Sequence, residues 1–195
     1  MRSLAIVDVD STLVHNAEPL FKELRKYSPD LLPPSQWTHW DYLVEHIPKD
    51  IFLSAVTSVQ MRIGEEPPLP GAYDLLEWLY ERYTVVIASD RAPECYDSLT
   101  NWLYKYHLLH DQVHVSPNKT VLFPEAAIVV DDSPRMLVAA RQMGVPIAVG
   151  IRYPWNKNLG LTLVKDLFWL HDALITWEKT HGNSLEDDCK GFRGI

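Results

Sequence analysis

Cysteine is scarce: the 195 residues hold two, Cys95 and Cys189. Two are too few for a disulfide scaffold and neither sits at a metal-ligand spacing, so a reducing cytoplasm is the expected compartment. Positive charge is also in short supply, with 18 Lys and Arg against 26 Asp and Glu and a net charge of -8. A surface that holds nucleic-acid phosphates normally shows a basic excess, so no nucleic-acid partner is expected. No apolar run approaches the length that spans a bilayer, and Met1-Arg2-Ser3 leads straight into a strand-like run with no signal segment. The expectation is an unexported protein with no membrane partner. Internal repeats and low-complexity tracts are absent too. What remains is a 47% apolar chain, long enough for one domain with an insertion and for a sizeable core.

The stretch that organises this chain is Leu4-Ala5-Ile6-Val7-Asp8-Val9-Asp10-Ser11-Thr12-Leu13-Val14. An apolar run of β-formers ends abruptly in two aspartates one residue apart, as a buried parallel strand does when it presents acids at its carboxyl edge. Open α/β sheets keep their chemistry at that edge. Two acids so close repel each other unless a cation joins them or one keeps its proton, which points to a Mg²⁺ site or an acid/base pair. A lone Asp-x-Asp would more simply end a strand and open a turn. Here the rest of the chain adds to it: Ser89 after a second apolar run, Lys119 in a third region, and Asp131-Asp132 after another apolar run.

From about Leu13 to Pro70 the pattern changes. Breakers recur at Ser28-Pro29, Pro33-Pro34 and Pro67-Pro68-Leu69-Pro70, and helices are predicted around Glu18–Leu24, from Ser35 through Trp40, and from Pro48 through Val59. This interval reads as a small helical insertion. Its Trp37, Trp40, Tyr42 and Phe52 form either the insertion's own core or an aromatic wall for a substrate ring. After Pro70-Gly71 strands and helices alternate. A helix through Tyr73, Leu76 and Leu79 leads to the strand Thr84–Ala88, a helix from about Pro93 to His107 leads to Val113–Val115, and the strand Ala127–Val130 leads to the helix Ser133–Met143 and the strand Val145–Ile151. Such alternation predicts an α/β fold, a three-layer Rossmann-like parallel sheet with right-handed crossovers and a helical cap inserted after the first strand. The divisions read 1–12 and 71–165 for the core, 13–70 for the cap, and 166–195 for a C-terminal helix, patterned from Leu163, and a polar tail.

A phosphate ester resists attack because its oxygens are already negative, so its hydrolysis needs a cation, a nucleophile and an acid for the leaving oxygen. Asp8 can be the nucleophile if Mg²⁺ screens its charge. Asp10 can protonate the leaving alkoxide and later activate water, a task that favours a raised pKa. Asp131, from a strand expected beside the first, completes an oxygen-rich magnesium shell with Asp8 and Asp10, and Asp132 would fix a metal-bound water.

Taken in order, these residues resemble the haloacid dehalogenase (HAD) superfamily of phosphatases. Asp8-Val9-Asp10-Ser11-Thr12 matches that superfamily's Asp-x-Asp-x-Thr pattern, and Asp131-Asp132-Ser133-Pro134 its acidic final motif. The resemblance implies Asp8 as nucleophile, Asp10 as acid/base with its backbone carbonyl on the metal, and Ser89, with Asp90 beside it, at the phosphoryl group. The phosphate-neutralising lysine is implied to be Lys119, with Lys105 as competitor. Finer features resemble the 5'(3')-deoxyribonucleotidase branch: the cap after the first motif, Pro68-Leu69-Pro70-Gly71-Ala72, and Tyr153-Pro154-Trp155-Asn156 after the last strand. Gly-Val-Leu usually follows the second aspartate in that branch, whereas this chain has Ser11-Thr12-Leu13.

The resemblance implies a Mg²⁺-dependent phosphomonoesterase acting on a small phosphorylated substrate, with a nucleoside monophosphate, and a deoxynucleotide in particular, as the first choice. Sugar phosphates and polynucleotide ends are the alternative substrates within the superfamily. A non-enzymatic receiver-like phosphoacceptor module also gathers acids, a hydroxyl and a lysine at strand ends, but in a different order. The cap should lie over the acids, with His15 and Asn16 at its hinge.

Overall fold

The structure, a computed structural model, describes residues 2–181. The polar tail after His181, and with it Cys189, lies outside the described residues. In chain order the elements are β1 (Leu4–Val7); α1 (Ala17–Leu24), α2 (Tyr42–His46) and α3 (Lys49–Met61); α4 (Ala72–Arg82) and β2 (Thr84–Ser89); α5 (Tyr96–Lys105) and β3 (Gln112–Val115); β4 (Ala126–Val130), α6 (Pro134–Gln142) and β5 (Ile147–Ile151); then β6 (Leu163–Val164) and α7 (Leu167–His181). Among the described residues no helix is long and apolar enough to cross a membrane.

The six strands form one parallel sheet in the order β3-β2-β1-β4-β5-β6. The chain builds outward from β1 to β2 and β3 on one side, then returns to build β4, β5 and β6 on the other. Strand order therefore reverses between β1 and β4, the place where open α/β sheets leave a crevice at their carboxyl edge. Side chains alternate across the pleat. Ala5 and Val7 pack with Val85, Ile87, Ile128 and Val130 against α4, α5 and α7, while Ile6 packs with Ala88, Val129 and Ala148 against α6 and Phe123. Burial of both faces explains why these strands read as unbroken apolar runs, and it makes the three-layer architecture predicted from the alternation.

The segment between β1 and α4 has its own core, in which Ala17, Leu20 and Leu24 of α1 meet Trp37, Tyr42, Leu43, Ile47, Ala55 and Val59. Buried positions four apart on α3, Ala55 and Val59, are the helical spacing on which that helix was predicted. The helix expected from Ser35 through Trp40 does not form. Only a single 3-10 turn, Pro34–Gln36, appears there, because Trp37 turns inward and donates its indole N–H to the Leu32 carbonyl at 2.9 Å. The Pro93 helix likewise opens as a 3-10 turn and becomes α-helical at Tyr96.

The C-terminal helix begins later than the pattern from Leu163 predicts. Leu163 and Val164 are a strand paired with Gly150 and Ile151, and the helix begins only after Asp166 accepts the Trp169 N–H at 2.8 Å as a cap. Gly150 itself answers a packing demand: a Cβ there would stand 2.5 Å from the Asp131 carbonyl oxygen. A larger residue would push β5 away from the loop that carries the acids.

Candidate active site

Parallel register delivers the polar residues to one edge. Val7 lies level with Ile87 of β2 and Val130 of β4, and the Asp8 N–H donates to the Val130 carbonyl at 2.9 Å. Asp8 thus leaves the sheet beside Asp131 and Asp132, and the three can present carboxylate oxygens all within 4.8 Å of one another. All three are buried. One cation, Lys119, joins them from the 3-10 turn before β4, its Nζ 2.7 Å from Asp8 Oδ1 and 2.8 Å from Asp131 Oδ2. Asp131 Oδ1 accepts the Ser133 N–H at 2.8 Å, and Asp132 Oδ2 accepts the Trp155 indole N–H at 3.2 Å.

This group holds more negative charge than its one lysine offsets. Burial, opposed by Lys119 and reinforced by the neighbouring Asp131, pushes the Asp8 carboxyl from 3.8 up to about 7. Burial followed by the charges of Asp8 and Asp131 lifts Asp132 well above the usual carboxylate range. Lys119 loses stability for its charge by burial but recovers more from Asp8 and Asp131, so it stays protonated and its pKa is raised. A set of buried oxygen donors with unmatched negative charge suits a hard divalent cation such as Mg²⁺. Asp132, the residue expected to fix a metal-bound water, lies in the same cluster.

The second aspartate of the motif points elsewhere. Ser11 takes a left-handed backbone, φ 60°, which turns the chain sharply after β1, and its hydroxyl donates to Asn16 Oδ1 at 2.7 Å. That conformation is the physical reason why glycine suits this position. Asp10 Oδ2 then receives Arg91 Nη2 at 3.1 Å, Gln60 Nε2 at 3.0 Å and the more distant Ser89 hydroxyl at 3.4 Å, while Arg91 Nε–H reaches Ser89 Oγ at 2.8 Å. Arg91 is fully enclosed. The carboxyls that burial raises at this site are Asp8 and Asp132.

Of the residues singled out from the sequence, Asp8, Asp131, Asp132 and Lys119 meet in one cluster, and Asp10 and Ser89 meet beside it. Asp90 is exposed at the end of β2, and His15 is exposed at the hinge. Lys105 is exposed, with its Nζ on the Gly64 carbonyl at 2.7 Å, so it ties α5 to the base of the insertion rather than joining the acids. Arg91 and Gln60 were missed. Arg91 lay in view beside Ser89, whereas nothing local marks Gln60, which reaches the site from α3.

The aromatic residues have mixed fates. Trp37 and Tyr42 are buried in the insertion's core, Phe52 packs against that core, and Trp40 is exposed. Tyr153 stacks flat on Trp155, with ring centroids 4.4 Å apart, and Trp155 leans on Trp37 at 5.9 Å. Asn156 clamps the same segment by donating to the carbonyls of Asp132 and Ile151. Trp155 therefore connects the insertion's core to an acid of the cluster. Arg135, beyond Ser133-Pro134, adds a two-point ion pair to Asp41 of the insertion at 2.8 and 2.9 Å.

No family model matches the chain, and no curated protein matches it. Solved structures do. A conserved haloacid dehalogenase-like protein from Agrobacterium tumefaciens superposes with TM-score 0.64 at 16% identity, covering 91% of this chain and 99% of that one. A haloacid dehalogenase-like hydrolase from Streptococcus pneumoniae superposes with TM-score 0.57 at 20% identity, covering 86% and 90%. A predicted phosphoglycolate phosphatase from Haemophilus somnus gives 0.57 at 17%, covering 91% and 98%. The fold of this chain is thus similar to that of haloacid dehalogenase-like hydrolases.

Proposed function

We propose that the protein is a Mg²⁺-dependent phosphomonoesterase. The observation that carries this reading is the division of labour at one sheet edge: a buried cluster of Asp8, Asp131, Asp132 and Lys119, beside a separate acid, Asp10, held by Arg91, Ser89 and Gln60. A Mg²⁺ ion would be held by Asp8, Asp131 and the Asp10 backbone carbonyl, with Asp132 adjoining, and when bound it would neutralise these acids and the incoming phosphoryl oxygens.

The protein's own groups perform the steps. The Asp8 carboxylate attacks phosphorus, the bond to the leaving oxygen breaks, and Asp10 gives that oxygen a proton. An aspartyl phosphate on Asp8 remains. Asp10, now a base, takes a proton from water, whose oxygen attacks the same phosphorus; inorganic phosphate departs and Asp8 is restored. Lys119 steadies Asp8, and Ser89 is available to the phosphoryl oxygens. A leaving alkoxide needs an acid at hand, which is why the second aspartate favours phosphate esters within this fold.

For the substrate, nucleoside 5'-monophosphates, deoxynucleotides among them, come first. The support is the aromatic pair Tyr153–Trp155, half-buried at its Tyr153 end and joined to Asp132 through the Trp155 indole N–H, which puts aromatic surface beside the acid cluster. Sugar phosphates are the main competitor, since Trp37 and Tyr42 are occupied by their own core. Release of phosphate from an aryl phosphate, dependent on Mg²⁺ and stopped by a chelator, tests the reaction; its absence with every phosphomonoester sinks the reading. A screen of ribonucleotides, deoxynucleotides, sugar phosphates and 3'-phosphorylated oligonucleotides tests the substrate. A tenfold preference for sugar phosphates, about 1.4 kcal/mol of discrimination, overturns the nucleotide choice alone.

A further inference from the structure

Lys119, the cation that the motif assigns to the phosphate, is already engaged. Its ammonium carries three N–H donors, and two of them serve Asp8 and Asp131. Arg91 is placed differently. One edge of its guanidinium, Nε and Nη2, is used by Ser89 and Asp10, while Nη1 is buried without a hydrogen-bond partner. A guanidinium always carries its charge, and two N–H bonds buried with nothing to bond are costly unless an acceptor arrives. The two residues it does hold are the acid for the leaving oxygen and the hydroxyl for the phosphoryl group, so the unpartnered Nη1 belongs to a guanidinium already anchored among the groups that would handle the phosphate.

We propose that Arg91 is a phosphate-binding residue of this site, its free Nη1 donating to a phosphoryl oxygen of the substrate and of the inorganic phosphate product. Lys119 then serves chiefly to neutralise the acid cluster. This rests on the phosphomonoesterase reading and extends it: a dianion meets Arg91 and Ser89 on the Asp10 side, and Lys119 on the Asp8 side. The insertion takes part only indirectly, because Gln60 of α3 shares the Asp10 oxygen that Arg91 holds and makes no contact of its own with the guanidinium's free edge.

The test is inhibition of aryl-phosphate hydrolysis by inorganic phosphate, together with direct calorimetric titration of inorganic phosphate onto the Mg²⁺-loaded protein. The variants are Arg91→Ala, Arg91→Lys and Gln60→Ala. Loss of a charged hydrogen bond to the anion should weaken phosphate by about ten- to a hundredfold in Arg91→Ala. Arg91→Lys keeps the charge but has no second edge to offer, and should also lose about tenfold. Gln60→Ala removes another donor to Asp10 and should leave phosphate affinity within about twofold, which separates anion binding from mere support of Asp10. If Arg91→Ala does not fold, Arg91→Lys decides. Unchanged phosphate affinity in a folded Arg91 variant overturns the proposal, as does an equal loss in Gln60→Ala. If the wild type hydrolyses no phosphomonoester, the phosphatase reading fails by itself, and the titration still judges Arg91.

Discussion

The two aspartates of the first motif stand one residue apart in the chain and in opposite surroundings. Asp8 is enclosed with two further acids and one lysine, all supplied by the sheet edge and its loops. Asp10 is partly open, paired with an arginine, and touched by a side chain from the inserted helices. The Asp8 side gathers three buried acids around one lysine, whereas the Asp10 side is well supplied with donors. The proposed division of roles would follow from that difference in balance, since a nucleophile that cannot attack without charge screening and an acid that must be oriented need unlike surroundings.

Replacing Asp8 should break the comparison most completely. Asp8→Asn is expected to lower turnover by more than about a thousandfold, since the attacking oxygen is lost. The same change removes a buried charge, so the metal-free variant should melt at least as high as wild type; thermal denaturation in chelator checks this, and a lower melting temperature would mean that the Lys119 pair outweighs the burial cost.

Next in size is a dependence on pH and metal. The Asp8 carboxyl is raised from 3.8 to about 7, so between those values the folded, metal-free protein holds more protons than the unfolded chain. Its stability should therefore fall as pH rises through that window, and Asp132, also raised, acts in the same direction. Lys119 stays charged in both states below its ordinary 10.5 and adds no slope there. Melting curves in chelator should drop by several degrees from pH 5 to pH 8, and Mg²⁺ should recover more stability at pH 8 than at pH 5.

On the Asp10 side the effects are smaller. Gln60→Ala takes one donor from an acid that keeps Arg91, and kcat should fall about fivefold, roughly 1 kcal/mol, with little change in melting temperature. A loss matching that of Asp8→Asn would show that the inserted helices hold the site together rather than tune it. Smallest of all, Ser11→Gly relieves a left-handed backbone while giving up the hydrogen bond to Asn16, a net gain of about 0.5 kcal/mol in urea unfolding with rates within twofold.

Much of this was legible in the chain, for a local reason. Asp8, Ser89 and Asp131 each follow an apolar run, and a buried parallel strand can end in a polar residue only where it leaves the core. Three such endings predicted one shared edge, and the sheet order supplies it. Leu163 and Val164 were misread because a two-residue edge strand is too short to show a period, and the leucines that follow continue the helical pattern. Gln60 could not be seen at all: it is one of several polar residues on α3, and only the placement of that helix turns it toward Asp10.

The sequence by itself determined the strands, their direction and the acids at their ends, because these depend on apolar runs and on which residues interrupt them. Tertiary structure alone decided how the two aspartates differ. Burial raised Asp8 and Asp132, Lys119 was drawn in from 111 residues away, and Arg91 and Gln60 closed on Asp10. Such properties depend on the distance between charges and on exclusion of water, and neither exists until segments remote in the chain have packed together.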